Sequence, residues 1–265
     1  MSSADFSRLT AIVHTSNRPH SVDRLIKSAG WLYPQLRLLV ADDSTKPQPV
    51  AGADSVKVAV GIGVSACRNT LLARVRTPYF LLLEDTMELS RRSGVERLLE
   101  LVASNKLDVA AGDIVRCQRR FGLFTSRKPD PAHATFEFGP DDLKLIRAHH
   151  LSVSEASRGV PAPGALPCDV THNFFVARTD KVRAIGGWDA QLQVDERIEF
   201  FFRACRYGLK VGVCTESVAW RWAEKSAPGG AKRDFTSLAV AKMGLSRMTD
   251  ADGRIHEAAA HARAA

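Results

Sequence analysis

Two apolar runs that each end abruptly in carboxylates constrain the fold of this chain more than any other feature. Residues 38–43 read LLVADD and residues 79–85 read YFLLLED. Continuous apolar runs of this length indicate strands that are buried on both faces, as in parallel sheets. Ligands of open α/β sheets bind just beyond the carboxyl ends of such strands. Taken alone, each acidic end could equally be an ordinary turn or helix cap. Together, the two ends could hold a base and ribose at one point of a sheet edge and a metal–diphosphate at the other.

Strands and helices alternate through the first half of the chain, which is typical of βαβ units. Apolar periodicity predicts five strands there, at residues 9–14, 37–41, 56–60, 78–83 and 108–112. Ser21 is expected to cap the first helix and Gly30 to end it. Residues 117–150 suit a hairpin and short strands, and residues 151–168 suit a loop over the site.

The length and composition suit one large α/β domain followed by a tail. The chain has 265 residues, and 45% of them are hydrophobic. Residues 1–225 are expected to form the domain. Residues 226–265 are basic and Ala-rich and form a tail, and we expect a frayed amphipathic helix or disorder in its last residues.

The net charge of the chain indicates which classes of partner it can bind. The net charge of +8 favours anionic partners such as sugar diphosphates, nucleic acid or an anionic lipid surface. Few aromatic residues and no nucleic-acid-binding signature argue against nucleic acid.

The five cysteines are scattered without a CxxC motif, so buried free thiols are expected. No run of about 18 apolar residues and no apolar signal core occur, so we expect a cytoplasmic protein, with peripheral contact to an anionic inner membrane face left open.

The turn between the two acidic runs carries candidate phosphate contacts. Residues 61–69 read GIGVSACRN, so two glycines precede a predicted helix. Backbone N–H groups at such a turn can approach a phosphate, helped by the helix N-terminus. Arg68 would contact the diphosphate or the base, and Arg18 could reach the same place. The motif is not a complete GxGxxG or Walker loop, and an exposed structural arginine explains Arg68 equally well.

The predicted helix at residues 195–207 offers carboxylates for acid–base chemistry. At about 100° per residue, Glu196, Glu199 and Arg203 share the face opposite the apolar one. A carboxylate at the start of this helix could act as a general base. An ordinary amphipathic helix with a Glu199–Arg203 pair explains the pattern as well.

In their order along the chain, these elements resemble a GT-A-fold, family-2-like glycosyltransferase, and most closely the ganglioside-type β1,4-N-acetylgalactosaminyltransferases. The resemblance covers roughly residues 9–224. It rests on Tyr33-Pro34, Ala41-Asp42-Asp43-Ser44, Arg68-Asn69, Glu84-Asp85, the NFFVARTDKVR of residues 173–183, and Glu199-Phe200-Phe201. It implies a Rossmann-like GT-A fold with a mixed, mostly parallel central sheet flanked by helices. It also implies inverting transfer of a hexose or N-acetylhexosamine from a UDP-sugar to a hydroxyl of a saccharide or glycolipid-type acceptor.

The resemblance assigns nucleotide contacts to the strand ends. Asp42 or Asp43 would contact the uracil or ribose of UDP. Arg18, Arg68 and Asn69 would line the nucleotide.

For the diphosphate and the donor sugar, the resemblance implies a metal site and a platform. Glu84-Asp85-Thr86 stands where the family has its DxD motif, so Asp85 with Glu84 would hold Mn²⁺ or Mg²⁺. Thr86 offers only a neutral hydroxyl, and this weakens the expected cation binding. Gly187 and Trp188 would lie under the donor sugar.

For the chemical step, the resemblance implies a carboxylate base on the helix at residues 195–207. Glu199 is the first candidate, because it matches the acidic residue that the family keeps before Phe-Phe, and Glu196 is the second. Asp195 and Asp189 follow. His172 either touches the acceptor or is structural.

The family's late histidine ligand has no counterpart after this helix, where residues 218–222 read VAWRW. Arg221 or Lys225 could then stabilise the diphosphate in place of a cation. The altered DxD position favours an alternative, a non-catalytic sugar-nucleotide-binding protein. The acidic residues Glu196 and Glu199 favour the enzyme.

Overall fold

The computed structural model describes residues 5–120, 124–130, 133–147, 164–193, 196–224 and 234–259. A short 3-10 helix, Phe6–Arg8, comes first. The strands are β1 (Leu9–Thr15), β2 (Arg37–Asp42), β3 (Asp54–Val56), β4 (Tyr79–Glu84), β5 (Met87–Glu88), β6 (Val109–Arg120), β7 (Phe124–Pro129), β8 (Ala134–Phe138), β9 (Asp142–Arg147), β10 (Leu166–Pro167), β11 (Phe175–Arg178), β12 (Val211–Trp222), β13 (Arg247–Thr249) and β14 (Ile255–Glu257). The helices are α1 (Pro19–Leu32), α2 (Val64–Arg74), α3 (Val95–Ala103), α4 (Thr179–Ala184), α5 (Glu196–Arg206) and α6 (Phe235–Lys242).

A ten-stranded sheet forms the centre of the described residues. Its order is β10-β12-β6-β11-β4-β1-β2-β3, with β5 and β7 paired beside β12 and β6. β1 is parallel to both β2 and β4, and β12 is parallel to β6, whereas β11 is antiparallel to β4 and β6. The prediction of an α/β fold with a mixed, mostly parallel sheet is confirmed.

Helices cover both faces of this sheet and leave one edge open for a ligand. Residues of α1 and α3 pack in one apolar cluster, and residues of α2, α4 and α5 pack in another. In the parallel register, Thr15 of β1 lies beside Asp42 of β2, and His14 lies beside Glu84 of β4. The residues that follow these three strands therefore meet at the same edge.

Several element boundaries differ from the sequence-based prediction. α1 begins at Pro19, whose fixed φ suits a first turn, so Ser21 lies inside the helix and its hydroxyl donates to Glu224 at 2.6 Å. The helix also continues past Gly30. β3 ends early and leaves Val60 58% exposed. β6 and β12 stay paired beyond a bulge, so both run longer than their apolar cores predict.

Part of the expected C-terminal tail is folded. Val240, Met243 and Met248 are buried in the same apolar cluster as Trp188. β13 pairs in parallel with β9 and antiparallel with β14, which together with β8 makes a second, four-stranded sheet. Residues 234–259 thus form a helix and two strands, whereas residues 226–233 and 260–265 lie outside the described part of the chain, so the expectation for the last residues is not tested.

The hairpins, the cysteines and the length of the helices can each be compared with what the sequence predicts. Residues 117–150 contain the hairpins β6–β7 and β8–β9, and the predicted loop at 151–168 is described only from residue 164. All five cysteines are free thiols, and four are buried. Over the described ranges, no helix combines the length and the apolar character needed to cross a bilayer.

Candidate active site

A cavity of about 630 Å³ opens at the edge where β1, β2 and β4 end. The N-terminus of α2 and the first turn of α5 form further walls, and Phe235 of α6 reaches it. Six of the residues predicted from the sequence line this cavity: Arg18, Asp43, Arg68, Glu84, Asp85 and Glu196. The other five lie outside its described lining: Asp42, Asn69, Gly187, Trp188 and Glu199.

Only one of the two aspartates at the end of β2 faces the cavity. The Asp43 carboxylate accepts a hydrogen bond from the Gly63 N–H at 3.0 Å and lies 2.9 Å from Nε2 of His14. Burial raises the pKa of Asp43, but these hydrogen bonds outweigh it and hold the pKa below its ordinary value. The Asp42 carboxylate instead accepts from the Ser44 N–H at 3.0 Å and closes the turn after β2.

The glycine turn before α2 is already engaged by Asp43. Gly61 and Gly63 have φ values of +67° and +89°, a region that favours glycine. The Gly61 N–H donates to the Asp43 carbonyl at 2.9 Å, and the Gly63 N–H donates to the Asp43 carboxylate. In this structure the two N–H groups are therefore not free for a phosphate, and the turn places Asp43 instead.

Arg68 and Glu196 form a buried ion pair in the cavity wall. Arg68 of α2 is 4% exposed and Glu196 in the first turn of α5 is 6% exposed, and the guanidinium donates to the carboxylate. The same guanidinium lies over the Trp188 ring, 5.6 Å from its centroid. Removing one partner of a buried pair costs about 3–5 kcal/mol. The pair therefore fixes α2 against α5 as well as facing a ligand.

Asn69, Gly187 and Trp188 support this wall from behind. The Asn69 side chain donates to the Trp188 carbonyl at 2.6 Å and accepts from the Trp188 N–H at 2.9 Å. Gly187 has a φ of +66°, and a Cβ there would collide with Asn69. The Trp188 ring is 2% exposed and stacks on Phe200 with centroids 4.9 Å apart. The predicted sugar platform is a packing layer in this structure.

Glu199 is turned away from the cavity. It is 3% exposed, and its carboxylate accepts from two nitrogens of Arg203, one of them at 2.8 Å. The Arg203 guanidinium also donates to the carbonyls of Ile185 and, at 2.8 Å, Gly187. The Glu199–Arg203 pair thus ties α5 to the turn after α4, which matches the structural interpretation of this pattern.

The acidic end of β4 is paired with cations. The Glu84 carboxylate accepts from the Asn173 amide at 3.0 Å, and its other oxygen lies 3.1 Å from Nε of Arg221. The Asp85 carboxylate accepts from Arg18 and from the Thr15 hydroxyl, both at 2.8 Å. Burial raises the pKa of Asp85, and the Arg18 cation offsets this only in part.

These neighbours do not fit a divalent cation between Glu84 and Asp85. Each of the four carboxylate oxygens already has a protein partner, and one oxygen of each residue faces a guanidinium. Cationic neighbours repel a metal ion, and Thr86 adds no charged ligand. A cation would have to displace both arginines.

A second group of ligand-type atoms lies beneath the cavity. His14, Asp43 and Cys67 each place one such atom within 4.8 Å of the others. Burial raises the pKa of the Cys67 thiol to about 12, so the thiol stays protonated at neutral pH. Because the thiolate is the form that binds metals, this group is a poor metal centre.

Arg197 lies at the site although the sequence did not point to it, whereas Arg221, expected as a possible contact of the diphosphate, lies outside the described lining of the cavity. Arg197 of α5 lines the cavity and donates to the Thr171 carbonyl at 3.3 Å. Arg221 of β12 lies between Glu84 and Asp130, 2.9 Å from an Asp130 carboxylate oxygen. Arg197 carries one signal in the sequence: a cation in the first turn of a helix opposes the helix dipole and calls for a separate reason.

The remaining candidates do not extend the described lining. Asp189 pairs with a lysine of α6 at 2.8 Å. His172 is 1% exposed, and burial together with the Arg221 cation lowers its pKa to about 3, so its ring is neutral. Two further residues lie outside the described part of the chain: Asp195 and Lys225.

Comparison with known sequences relates the chain to one group of enzymes, although no family model matches it. Human β1,4 N-acetylgalactosaminyltransferase 1 is 30% identical over 213 residues, which cover 79% of this chain and 38% of that protein. Mouse β1,4 N-acetylgalactosaminyltransferase 2 is 27% identical over 198 residues, 73% of this chain and 35% of that protein. The chain therefore spans well under half the length of these curated relatives.

Solved structures of glycosyltransferases share the fold. GalNAc-T7, crystallised with UDP, GalNAc and Mn²⁺, has a TM-score of 0.69 at 12% identity, covering 89% of this chain and 47% of that one. S. aureus TarS 1–349 in complex with UDP-GlcNAc has a TM-score of 0.60 at 12% identity, covering 89% and 66%. The Mn²⁺ of GalNAc-T7 shows that a protein of this fold can hold a divalent cation. The chain has the GT-A fold and is a sequence relative of the β1,4-N-acetylgalactosaminyltransferases.

Proposed function

We propose that this chain transfers a hexose or N-acetylhexosamine from a UDP-sugar to an acceptor hydroxyl, with inversion at the sugar carbon. The observation that carries the proposal is the cavity at the ends of β1, β2 and β4, where Asp43 and the Arg68–Glu196 pair face the same space. Its position matches the general ligand site of open α/β sheets. The named activities of the sequence relatives support the reaction class.

Asp43 is suited to the nucleoside end of the donor. An ionised carboxylate is a hydrogen-bond acceptor only, so it pairs with the N–H of uracil or with a ribose hydroxyl. The contacts from His14 and Gly63 fix its position before a ligand arrives. Such preorganisation reduces the entropy that binding has to overcome.

Glu196 is the proposed general base, in place of Glu199. It lines the cavity at the start of α5, and a carboxylate there can accept the proton of an acceptor hydroxyl. It would take the proton of the acceptor hydroxyl while that oxygen attacks C1 from the face opposite the diphosphate. The bond between C1 and the diphosphate oxygen breaks, and UDP leaves with the electron pair beside the cationic side chains of the wall.

UDP release from a panel of UDP-sugars tests the proposal, with product configuration read by NMR. Glu196→Gln also leaves Arg68 without its carboxylate and should destabilise the fold, so turnover is measured per folded molecule, and we expect it to fall at least about 100-fold. Glu199→Gln and the exposed Glu216→Gln serve as controls that should keep turnover per folded molecule. Loss of turnover in Glu199→Gln alone would return the base to the position that the resemblance favours.

A non-catalytic sugar-nucleotide-binding protein is the second candidate. The guanidinium groups beside Glu84 and Asp85 favour it, since they oppose metal binding at these carboxylates. UDP binding without turnover on any donor and acceptor pair would select this function. The acceptor class, the cytoplasmic location and the contact with an anionic membrane stay predictions from the sequence.

A further inference from the structure

The acidic end of β4 has a fixed cation beside it. β12 pairs with β5 so that Arg221 lies opposite Met87, and the Trp222 N–H donates to the Thr86 carbonyl at 2.9 Å. This backbone pairing holds the Arg221 guanidinium between the carboxylates of Glu84 and Asp130. The positive charge next to Glu84 is therefore built into the sheet rather than carried by a mobile surface side chain.

Arg197 adds a second guanidinium to this end of the cavity. Within the described residues, no carboxylate lies within ion-pairing distance of Arg197, and its one hydrogen bond goes to a backbone carbonyl. Burial lowers the pKa of Arg197, and the nearby Arg221 cation acts in the same direction, against the attraction of Glu84. A partly buried cation is costly unless a counter-charge reaches it. Since Arg197 lines the cavity, a ligand anion can supply that charge.

Sheet geometry separates these arginines from the nucleoside end. Asp43 follows β2 and Glu84 ends β4, with β1 between them. Two inter-strand spacings place the two strand ends about 10 Å apart. A nucleoside held at Asp43 would thus direct its diphosphate toward Arg197, Arg221 and Arg18.

We propose that this chain binds the diphosphate of its nucleotide sugar without a divalent cation, and that the guanidinium groups of Arg197 and Arg221 supply the positive charge. The inference rests on the proposed nucleotide-sugar site. It follows from the poor fit of a metal to Glu84 and Asp85 and from the unpaired state of Arg197 among the described residues. Arginine forks match phosphate oxygens in geometry as well as in charge.

Calorimetric titration of the full chain with UDP, in excess EDTA and then in Mn²⁺, tests the inference. We expect UDP to bind with the same affinity in both, and Mn²⁺ to stay free by electron paramagnetic resonance. Binding that requires Mn²⁺ overturns the inference and leaves the nucleotide site intact. Absence of UDP binding under both conditions overturns the proposed function and the inference together.

Substitutions of Arg197 and Arg221 test whether these two side chains supply the positive charge that binds the diphosphate. In EDTA, Arg197→Gln should weaken UDP binding about 10-fold or more, whereas Arg206→Gln, exposed at the far end of the same helix, should not. Arg197→Lys should recover part of the affinity. Arg221→Gln should also weaken binding in EDTA, and Mn²⁺ should restore it because Glu84 is then free. Thermal melting checks that each variant is folded, and wild-type UDP affinity in a folded Arg197→Gln overturns the assignment.

Discussion

Asp43 shows how a single carboxylate can organise a ligand site. Its backbone carbonyl and its side chain accept the N–H groups of Gly61 and Gly63, while His14 approaches the carboxylate from β1. The neighbouring Asp42 has the same side chain, but its carboxylate oxygens accept hydrogen bonds from backbone N–H groups of the turn that follows β2. Asp43 therefore lines the cavity, whereas Asp42, the last residue of β2, does not.

The two aspartates should therefore respond differently to the same substitution. Asp43→Asn removes the charge and should weaken UDP binding about 10-fold, the size of a lost hydrogen bond to a charged group. Asp42→Asn should leave UDP affinity unchanged. Calorimetry on both variants measures this, and equal losses would show that both carboxylates reach the ligand, as the sequence alone allows.

His172 should make the stability of the fold depend on pH. Its pKa is about 3 in the folded chain, below the value of 6.5 for an exposed histidine, so the unfolded chain takes up the proton first as pH falls. Stability is then complete above pH 6.5 and declines toward pH 3, by at most about 1.4 kcal/mol per pH unit. Urea unfolding of His172→Gln should show a shallower decline than wild type. The exposed His20→Gln is the control and should keep the wild-type slope.

At the scale of elements, the charged face of α5 packs against other parts of the protein instead of facing solvent. Glu196 faces the cavity and joins α5 to α2 through Arg68, while Glu199 joins it to the turn after α4 through Arg203. The opposite, aromatic face packs on Phe175 and on the second sheet near Phe136. A helix buried on both faces can position a reactive group precisely enough for chemistry because neither side can shift independently.

Glu199→Gln should separate stability from catalysis. It leaves the Arg203 guanidinium without its carboxylate, and we expect a loss of about 3 kcal/mol, the low end for a buried pair because Arg203 is partly exposed. Chemical denaturation measures this loss, and turnover per folded molecule should stay near wild type. A stable variant with little turnover would contradict the structural role.

The sequence predicts strands and helices that a local residue pattern encodes. It does not predict contacts between residues that lie far apart in the chain. β1, β2 and β4 are continuous apolar runs, so their position and the acidic edge could be predicted. The pairs Arg68–Glu196 and Glu84–Arg221 join residues more than a hundred positions apart, and no local pattern encodes them. The pairing of the outer half of β12 with β6 beyond the bulge is likewise a contact between distant parts of the chain, which no local pattern specifies.

At the scale of the whole molecule, the C-terminal residues complete the core on the side of the cavity. Val240 and Met248 are at most 1% exposed, and Phe235 of α6 lines the cavity itself. β13 extends the second sheet through its parallel pairing with β9. We therefore propose that residues 234–259 belong to the catalytic domain and that its boundary lies beyond residue 225.

Truncation after residue 225 should consequently destabilise the fold far more than removal of an unpacked tail would. It exposes the cluster around Trp188 and removes Val240, Met243 and Met248, each of which contributes about 1.5–3 kcal/mol when buried. The sum approaches the total stability of a typical domain, about 5–15 kcal/mol, so the fragment 1–225 should melt well below the full chain or fail to fold cooperatively. Truncation after residue 259 is the matched control and should leave the melting temperature unchanged. If the fragment 1–225 melts like the full chain and binds UDP equally well, residues 234–259 are an accessory layer and the boundary predicted from composition is right.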